Sequence, residues 1–437
     1  MLVLKFGGTS VGSAANLATV RDIVANAAAS RVAVVVSAHS GVTDRLLALG
    51  RAAAGGSYDL APVRARHQDL LGELGIEPTI LDVPFRELND LLHGLTLVRE
   101  LTPRTLDLVA SYGERLAVRG ISEWFRRGGI PAVAQDAYDL GLRTDSRFGA
   151  ANPDYACFPQ VRKSLLAIRG VPVVTGFIAK DAKGDVTTLG RSGSDLTATL
   201  LGAALKSPEV QIWTDVDGVM TADPRIVAGA RSIPVLSIAE ASELAYYGAK
   251  VIHPATMLPA VENRIPVRVL NTMRPDAKGT TILASVPEAG APVKSIAYKR
   301  GIILITVAST RMLLQSGFMA RIFEVFARHD LSVDLVATSE VTVSVTVDSD
   351  RNLEAVAADL REFSTVTVER DMAQVCVVGD GIGVKAGVAA DAFAALKAAK
   401  IPIRLISHGG TRINLSLLVE APHVEPAVRA LHRGFFE

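Results

Sequence analysis

The segment TTLGRSGSDLTA, residues 187–198, sets Gly190, Gly193 and the hydroxyls of Ser192 and Ser194 just before a helical pattern opened by Asp195. Backbone N–H groups at such a helix start attract an anion, and Arg191 beside them can grip a carboxylate or a phosphate with two parallel hydrogen bonds. A second glycine-rich run, KFGGTSVGSA at residues 5–14, has its cation on the other side. Gly7 and Gly12 have P-loop spacing, but Ser13 and Ala14 stand where that loop requires Lys and Ser or Thr. A P-loop lysine follows its glycines and reaches back to the phosphates, whereas Lys5 precedes them. A Walker loop is therefore disfavoured. Whether Gly7 and Gly8 only permit a tight turn or also line a phosphate stays open at this level.

Further stretches add to the inventory. In WTDVDGVMTADPR, residues 213–225, Thr214, Asp215, Asp217 and Asp223 crowd a loop after a strand, with Arg225 behind them. Asp217-Gly218 and Asp223-Pro224 suit turns, and the remainder favours the edge of a nucleotide. Glu114, in SYGER, is either a solvated helix residue or an anchor for an amine. SAHSGVTD, residues 37–44, reads as a strand-to-helix loop; GAKVIHPA, residues 248–255, contributes Lys250, while His253 before Pro254 reads as structural. Cations, anion loops and carboxylates without a cysteine or histidine cluster are what phosphoryl transfer needs, because its transition state is stabilised by positioning and by electrostatics. A hydrolase triad has little support.

Composition narrows the classes. Lys and Arg number 46 against 45 Asp and Glu, so no global field draws the chain to nucleic acid or to an acidic membrane. Cys157 and Cys376 are the only cysteines, which gives no disulfide framework and suits a reducing compartment. No apolar signal core opens the chain, and no apolar run approaches the ~20 residues of a membrane span. A cytoplasmic location is expected.

The elements that must hold these residues alternate. LVLKF (2–6), RVAVVVSA (31–38), IPAVAQ (130–135), VPVVTGFIA (171–179), VQIWTDVDG (210–218) and IPVRVLN (265–271) read as buried strands. Helical patterns cover about 60–100 and 104–128. This predicts one large α/β domain over 1–285, its mainly parallel sheet covered on both faces, with a boundary in RPDAKGTTI and SVPEAGAP. Beyond it, strand 302–307, helix 314–328, strands 332–338 and 341–347, helix 352–362 and strand 364–370 make a ferredoxin-like βαββαβ unit, 300–371. Residues 373–379, 385–399, 401–407, 412–419 and 422–434 repeat that order over 372–437 without its last strand. KSIAYK, residues 294–299, is expected to supply it and so to interleave the two units.

KFGGTSV, GRSGSDLTA, WTDVDGV with TADPR, and GAKVIHPAT resemble, in that order, the signature blocks of aspartate kinase. The resemblance spans the whole chain and implies an amino-acid-kinase fold followed by paired ACT domains. RMLLQSGFMARIF and HDLSVDLVATSEVTVSV are most similar to the lysine-sensitive, single-chain branch. The implied reaction is transfer of the ATP γ-phosphate, with Mg²⁺, to the β-carboxylate of L-aspartate, opening the route to lysine, threonine and methionine. Carried over by position, Lys5, Asp195 and Lys250 are catalytic, and Thr43, Glu114, Arg191 and Ser194 hold aspartate, Glu114 at its ammonium and Arg191 at its α-carboxylate. Gly7, Gly8 and Ser10 line the phosphate path, and Thr214, Asp215, Met220, Asp223, Arg225 and Lys250 contact the nucleotide. Met220 departs from the family's usual tyrosine, which removes an aromatic contact near the base or ribose. Met312, Gly317, Phe318, Ser332, Val333, Asp334 and Thr338 match the inhibitor site, expected to take L-lysine between the ACT units of two subunits; Gln315 and Ser316 depart from the relatives' run. Met312 and Phe318 are also open to a core role. A homodimer through the ACT units, or a tetramer, is implied. N-acetylglutamate, glutamate or uridylate kinases would share the glycine loops, but would explain neither Glu114 nor the repeats. A sensor that had lost turnover would not need Lys5, Arg191, Asp195 and Lys250.

Overall fold

A computed structural model describes residues 1–27, 30–248, 253–286, 291–310 and 316–437, so Lys250, Met312 and Gln315 lie outside the described residues. Two compact units are present: residues 1–219, 234–238 and 251–286, and residues 220–233, 239–250 and 287–437. The second takes in short segments that the sequence assigns to the large domain. The reason is local pairing: Ser295 Oγ donates to the Met220 carbonyl at 2.8 Å, and the Ile296 N–H donates to the Thr221 carbonyl at 2.8 Å.

The strands of the first unit are β1 (Leu2–Phe6), β2 (Val32–Val36), β3 (Ala132–Gln135), β4 (Val171–Thr175), β5 (Ile178–Lys180), β6 (Val186–Thr188), β7 (Val210–Thr214), β8 (Val235–Ser237), β9 (Val267–Asn271) and β10 (Thr280–Leu283). Eight of them form a sheet in the order β3-β4-β2-β1-β7-β9-β10-β8, parallel throughout except between β9 and β10, and β5 pairs with β6 as a hairpin. The helices, in chain order, are α1 (Ala14–Ala27), α2 (Val42–Ala54), α3 (Ala61–Glu73), α4 (Asp82–Val98), α5 (Pro103–Arg127), α6 (Phe158–Ala167), α7 (Gly193–Leu205), α8 (Ile238–Tyr246) and α9 (Leu258–Glu262), of which α8 falls almost wholly in the second unit. Continuous β-branched runs such as VAVVV are buried along their whole length because helices cover both faces of a parallel sheet. Side chains alternate along β1, so Leu4 and Phe6 join the core with Leu17 of α1 and Leu116 and Phe125 of α5. Lys5 points to the other face, where α7 packs on β1.

Two expectations need correction. The run 171–179 is not one strand: it breaks at Gly176 and Phe177, the latter at φ 66°, because the chain turns a corner against α7. A Cβ at position 176 would lie 2.5 Å from Ser194, so no room remains for an ordinary strand residue. Residues 280–283, expected within the boundary, instead pair with β9 and β8 in the main sheet. Gly279, at φ 67°, makes this return possible, since a Cβ there would come within 2.1 Å of the Val269 carbonyl.

The second unit contains β11 (Ser295–Ala308), β12 (Val336–Thr338), β13 (Thr342–Val347), β14 (Thr365–Val378), β15 (Leu405–His408) and β16 (Asn414–Glu420). Its remaining helices are α10 (Phe318–Arg328), α11 (Leu353–Arg361), α12 (Val388–Ala398) and α13 (Val424–Phe436). The strands make a six-stranded antiparallel sheet, β12-β13-β11-β14-β16-β15. Pairs of strands read separately in the sequence are fused: β11 and β14 run unbroken through bends at Gly301 (φ 74°) and Asp371 (φ 58°), with register shifts near Ile302. Residues 295–300 pair with 373–378 of the second repeat, and residues 303–308 pair with β13 of the first. The repeats share their caps and their backbone bonding. Gly317 and Gly387 take left-handed N-cap conformations, and Asp334 and Arg404 each donate an N–H at 2.8 Å, to the Thr346 and Leu418 carbonyls respectively. Among the described residues no helix is long and apolar enough to cross a membrane.

Candidate active site

At the carboxyl ends of β1, β2 and β4, where open α/β sheets bind ligands, the first unit has a cavity of about 600 Å³. Lys5, Thr43, Glu114, Arg191, Ser194 and Asp195 all line it, although the sequence scatters them over some 190 positions. Lys5 is held between two buried strands, its Nζ 2.6 Å from Asp195 Oδ1 on the first turn of α7. Both side chains are nearly out of solvent, so each charge depends on the other to offset its desolvation. The pair lies at the helix N-terminus, where free N–H groups add partial positive charge. Ser192 turns the chain into α7 in a left-handed conformation, φ 56°. Thr197 Oγ1 accepts the Phe177 N–H at 3.0 Å, tying this helix start to the corner after β4.

Glu114 is buried on α5 beside Gly113, whose missing side chain lets the helix approach β2: a Cβ there would lie 2.8 Å from that of Ala38. Glu114 Oε1 accepts the Ala38 N–H at 3.1 Å; Oε2 is buried with no hydrogen-bond partner among the described residues. Burial pushes its pKa up to about 8, against the smaller opposing effect of that N–H. A carboxyl group kept in this state lacks a cation. The sequence alone leaves Glu114 open to a solvated role, which its burial removes.

The glycine loop after β1 is packed against the second loop. A Cβ on Gly8 would come within 2.7 Å of the Ala38 carbonyl, and Gly8 accepts the Ser40 N–H at 3.2 Å. Gly7 donates to the Trp213 carbonyl at 3.2 Å, which sets it beside Thr214 and Asp215 at the end of β7. Ser10 is fully buried, its Oγ 2.7 Å from Thr272 Oγ1, so this hydroxyl serves the sheet. Asp217 is tied to Asn271 at 2.6 Å and to Arg274.

One cavity residue escapes sequence reasoning. Asp107 on α5 accepts the Gly149 N–H at 2.9 Å, the Thr188 N–H at 2.8 Å and the Thr188 hydroxyl at 2.9 Å, fastening the strands that lead to Gly190 and Arg191. Its spacing of i, i+3 and i+7 with Ala110 and Glu114, one helical stripe, is the signal that could have found it.

Met220, Asp223 and Arg225 belong to the second unit. There Arg225 pairs with Asp223 at 2.6 Å, Tyr298 donates to the same carboxylate at 3.0 Å, and these hydrogen bonds hold the Asp223 pKa at about 2. Of the effector residues, Gly317 caps α10 and Phe318 sits in the core of the first repeat, its ring against Phe363. Ser332, Val333, Asp334 and Thr338 lie on the segment entering and forming β12. Burial raises the Asp334 pKa, and Tyr246 and Lys299 oppose that shift.

Among the described residues no three or more His, Cys, Asp or Glu side chains converge as metal ligands. Mg²⁺ brought in on phosphates needs only one or two carboxylates, and Asp195, a carboxylate lining the cavity, fits that lighter requirement.

Residues 1–271 match the amino acid kinase family, and residues 305–363 and 375–435 match the ACT domain. The chain is 38% identical to Aspartokinase 1, chloroplastic, of Arabidopsis thaliana, over all of this chain and 80% of that protein. It is 36% identical to lysine-sensitive aspartokinase 3 of Escherichia coli (strain K12), over 100% of this chain and 99% of the relative. Two crystal structures of E. coli aspartokinase III cover the full length of both chains: the complex with lysine and aspartate (T-state; TM-score 0.81, 34% identity) and the complex with aspartate and ADP (R-state; TM-score 0.80, 35% identity).

Proposed function

The chain belongs to the amino acid kinase family, among its aspartokinases, and from that premise we infer that it phosphorylates the β-carboxylate of L-aspartate under feedback control by lysine. ATP is the phosphoryl donor and 4-phospho-L-aspartate the product, the first step toward lysine, threonine and methionine.

The observation that carries the substrate assignment is Glu114: a buried carboxyl with one oxygen unpartnered, in a cavity that also holds Arg191. Glu114 takes the substrate ammonium, Arg191 its α-carboxylate, and Thr43 and Ser194 add hydroxyls. The β-carboxylate is thereby directed toward Lys5 and the start of α7. One of its oxygens attacks the γ-phosphorus, the bond to the β,γ-bridging oxygen breaks, and the electron pair leaves with ADP. Lys5 and the N–H groups of α7 stabilise charge as it gathers on the phosphoryl oxygens, while Asp195 keeps Lys5 in place. Asp195 would also hold Mg²⁺, which supplies charge neutralisation across the donor phosphates when bound. Gly7 and Gly8 let backbone approach the phosphates, and Thr214 and Asp215 flank the nucleotide; the nucleotide roles of Met220, Asp223, Arg225 and Lys250 rest on the resemblance alone. N-acetylglutamate, whose amine is blocked, gives Glu114 nothing to bind.

The protein works in the cytoplasm as a homodimer through its ACT domains, or as a tetramer built from it, with lysine at Asp334. An ADP-release assay with Mg·ATP tests the reading: turnover is expected with L-aspartate and not with N-acetylglutamate, glutamate or UMP. Folded protein inactive toward aspartate would overturn it.

A further inference from the structure

Asp334, the one carboxylate among the residues assigned to the effector site and so the partner expected for an effector's ammonium, already has partners from its own chain. Tyr246, the last residue of α8, donates its hydroxyl to Asp334 Oδ1. Lys299, on β11, brings its Nζ to 3.8 Å from Asp334 Oδ2, an oxygen that is buried and, among the described residues, accepts no hydrogen bond. The Asp334 side chain is only 9% exposed, so its charge has little help from water. The same ammonium bonds Asp348 at 2.7 Å and lies 4.5 Å above the Tyr246 ring.

We propose that Lys299 and Tyr246 compete with the effector for Asp334: Lys299 is a tethered stand-in for the ammonium of a free amino acid, which spans both Asp334 oxygens when it binds and so displaces both groups. The inference rests on the reading of Asp334 as the ammonium anchor. Among the described residues each Asp334 oxygen faces one group, Tyr246 on Oδ1 and Lys299 on Oδ2. The Lys299 contact is too long for a hydrogen bond and would be improved by an ammonium at close range. Lys299 keeps its shorter bond to Asp348 when it withdraws, so displacing it leaves no unpaired cation.

Tyr246 makes displacement consequential. Within the second unit α8 is bound to the second repeat through several contacts: Glu240 accepts the Asp380 N–H at 2.9 Å, Glu243 accepts from Asn414 at 2.5 Å, and the Tyr247 hydroxyl meets Ser416 at 2.9 Å. Tyr246 gives α8 a hydrogen bond to the first repeat. An effector ammonium at Asp334 therefore breaks a tie between α8 and the first repeat while leaving the contacts with the second, which gives ligand binding a mechanical output.

Lysine binding to the full-length protein, measured by calorimetry for wild type, Lys299→Met, Tyr246→Phe and Asp334→Ala, tests this. Removing a competitor tightens binding: about threefold is expected for Lys299→Met, a partly exposed ion pair, and about tenfold for Tyr246→Phe, a hydrogen bond to a charged group. A residue that only supported the fold would weaken binding when changed, so the sign separates the two roles. Unchanged or weaker binding in either variant overturns the role of that residue, provided Asp334→Ala has lost lysine, and the anchor reading then stands. If Asp334→Ala binds lysine as wild type does, the anchor reading and this inference fall together.

Discussion

Glu114 combines a stability cost with the ammonium-binding role proposed for it. Its folded pKa of about 8 lies above the value near 4.5 of an unburied glutamate. The unfolded chain therefore sheds this proton above pH 4.5 while the folded protein keeps it, so stability falls across pH 4.5–8 and then levels off. Glu114→Gln removes that penalty. Denaturation midpoints should show a gain on the order of a few kcal/mol at pH 8 and little change at pH 4. The same variant should lose aspartate binding, as at other sites where function keeps a strained group. Because the ammonium demands an ionised Glu114, aspartate binding at pH 7 should release about one proton, read from calorimetry in buffers of different ionisation heat. No proton release would mean that the ammonium is held elsewhere. Lys5 makes a complementary case: Lys5→Ala removes a cation needed as phosphoryl charge develops, and kcat should fall by ~10²-fold or more with circular dichroism unchanged. Unaltered kcat would remove Lys5 from the chemistry.

At the scale of elements, much of this site was legible because strands and glycines leave local marks. The alternation in LVLKF already separates Lys5 from Leu4 and Phe6, and the hydroxyl-rich run before Leu196 marks the start of α7. What was not legible depended on contacts between distant segments. The break at Gly176 comes from Ser194, and the fused strands β11 and β14 come from pairing that persists through Gly301 and Asp371. Asp107 shares a helical stripe with Glu114, but the bonds that give it its role appear only once Gly149 and Thr188 come to it. The corner after β4 can be tested directly. In Gly176→Ala the new methyl would press on both the side chain and the backbone of Ser194, 2.5 Å and 2.9 Å away. Overpacking of this kind costs ~1–3 kcal/mol, and here the relief is a shift of the α7 N-terminus. Stability should drop by that amount and kcat should fall with it; a stable variant with full kcat would show that the corner does not position Asp195.

The whole molecule carries a duplicated regulatory fold whose halves are not equivalent in charge. Backbone geometry makes Asp334 and Arg404 counterparts: each precedes an edge strand, and each donates its N–H to the strand beside it at 2.8 Å. A primary ammonium is drawn to the first position and repelled from the second. Arg404 is moreover engaged by Glu369 at 2.5 Å and Glu420 at 3.6 Å, so its charge is met within the sheet. On the proposed reading the duplication supplies one ammonium subsite per chain, while the second repeat serves as the surface to which α8 and the residue after it are fastened through Glu240, Glu243 and Tyr247. Calorimetric titration of the full-length protein with lysine should give one equivalent per chain. Asp334→Ala should abolish the whole signal rather than half of it, and Arg404→Ala should keep the stoichiometry, with affinity within about fivefold, since exposed ion pairs contribute ~1 kcal/mol or less. Two equivalents per chain, or a half-signal surviving in Asp334→Ala, would mean that the second repeat binds the effector despite its guanidinium, and that charge at this position does not divide the labour between the repeats.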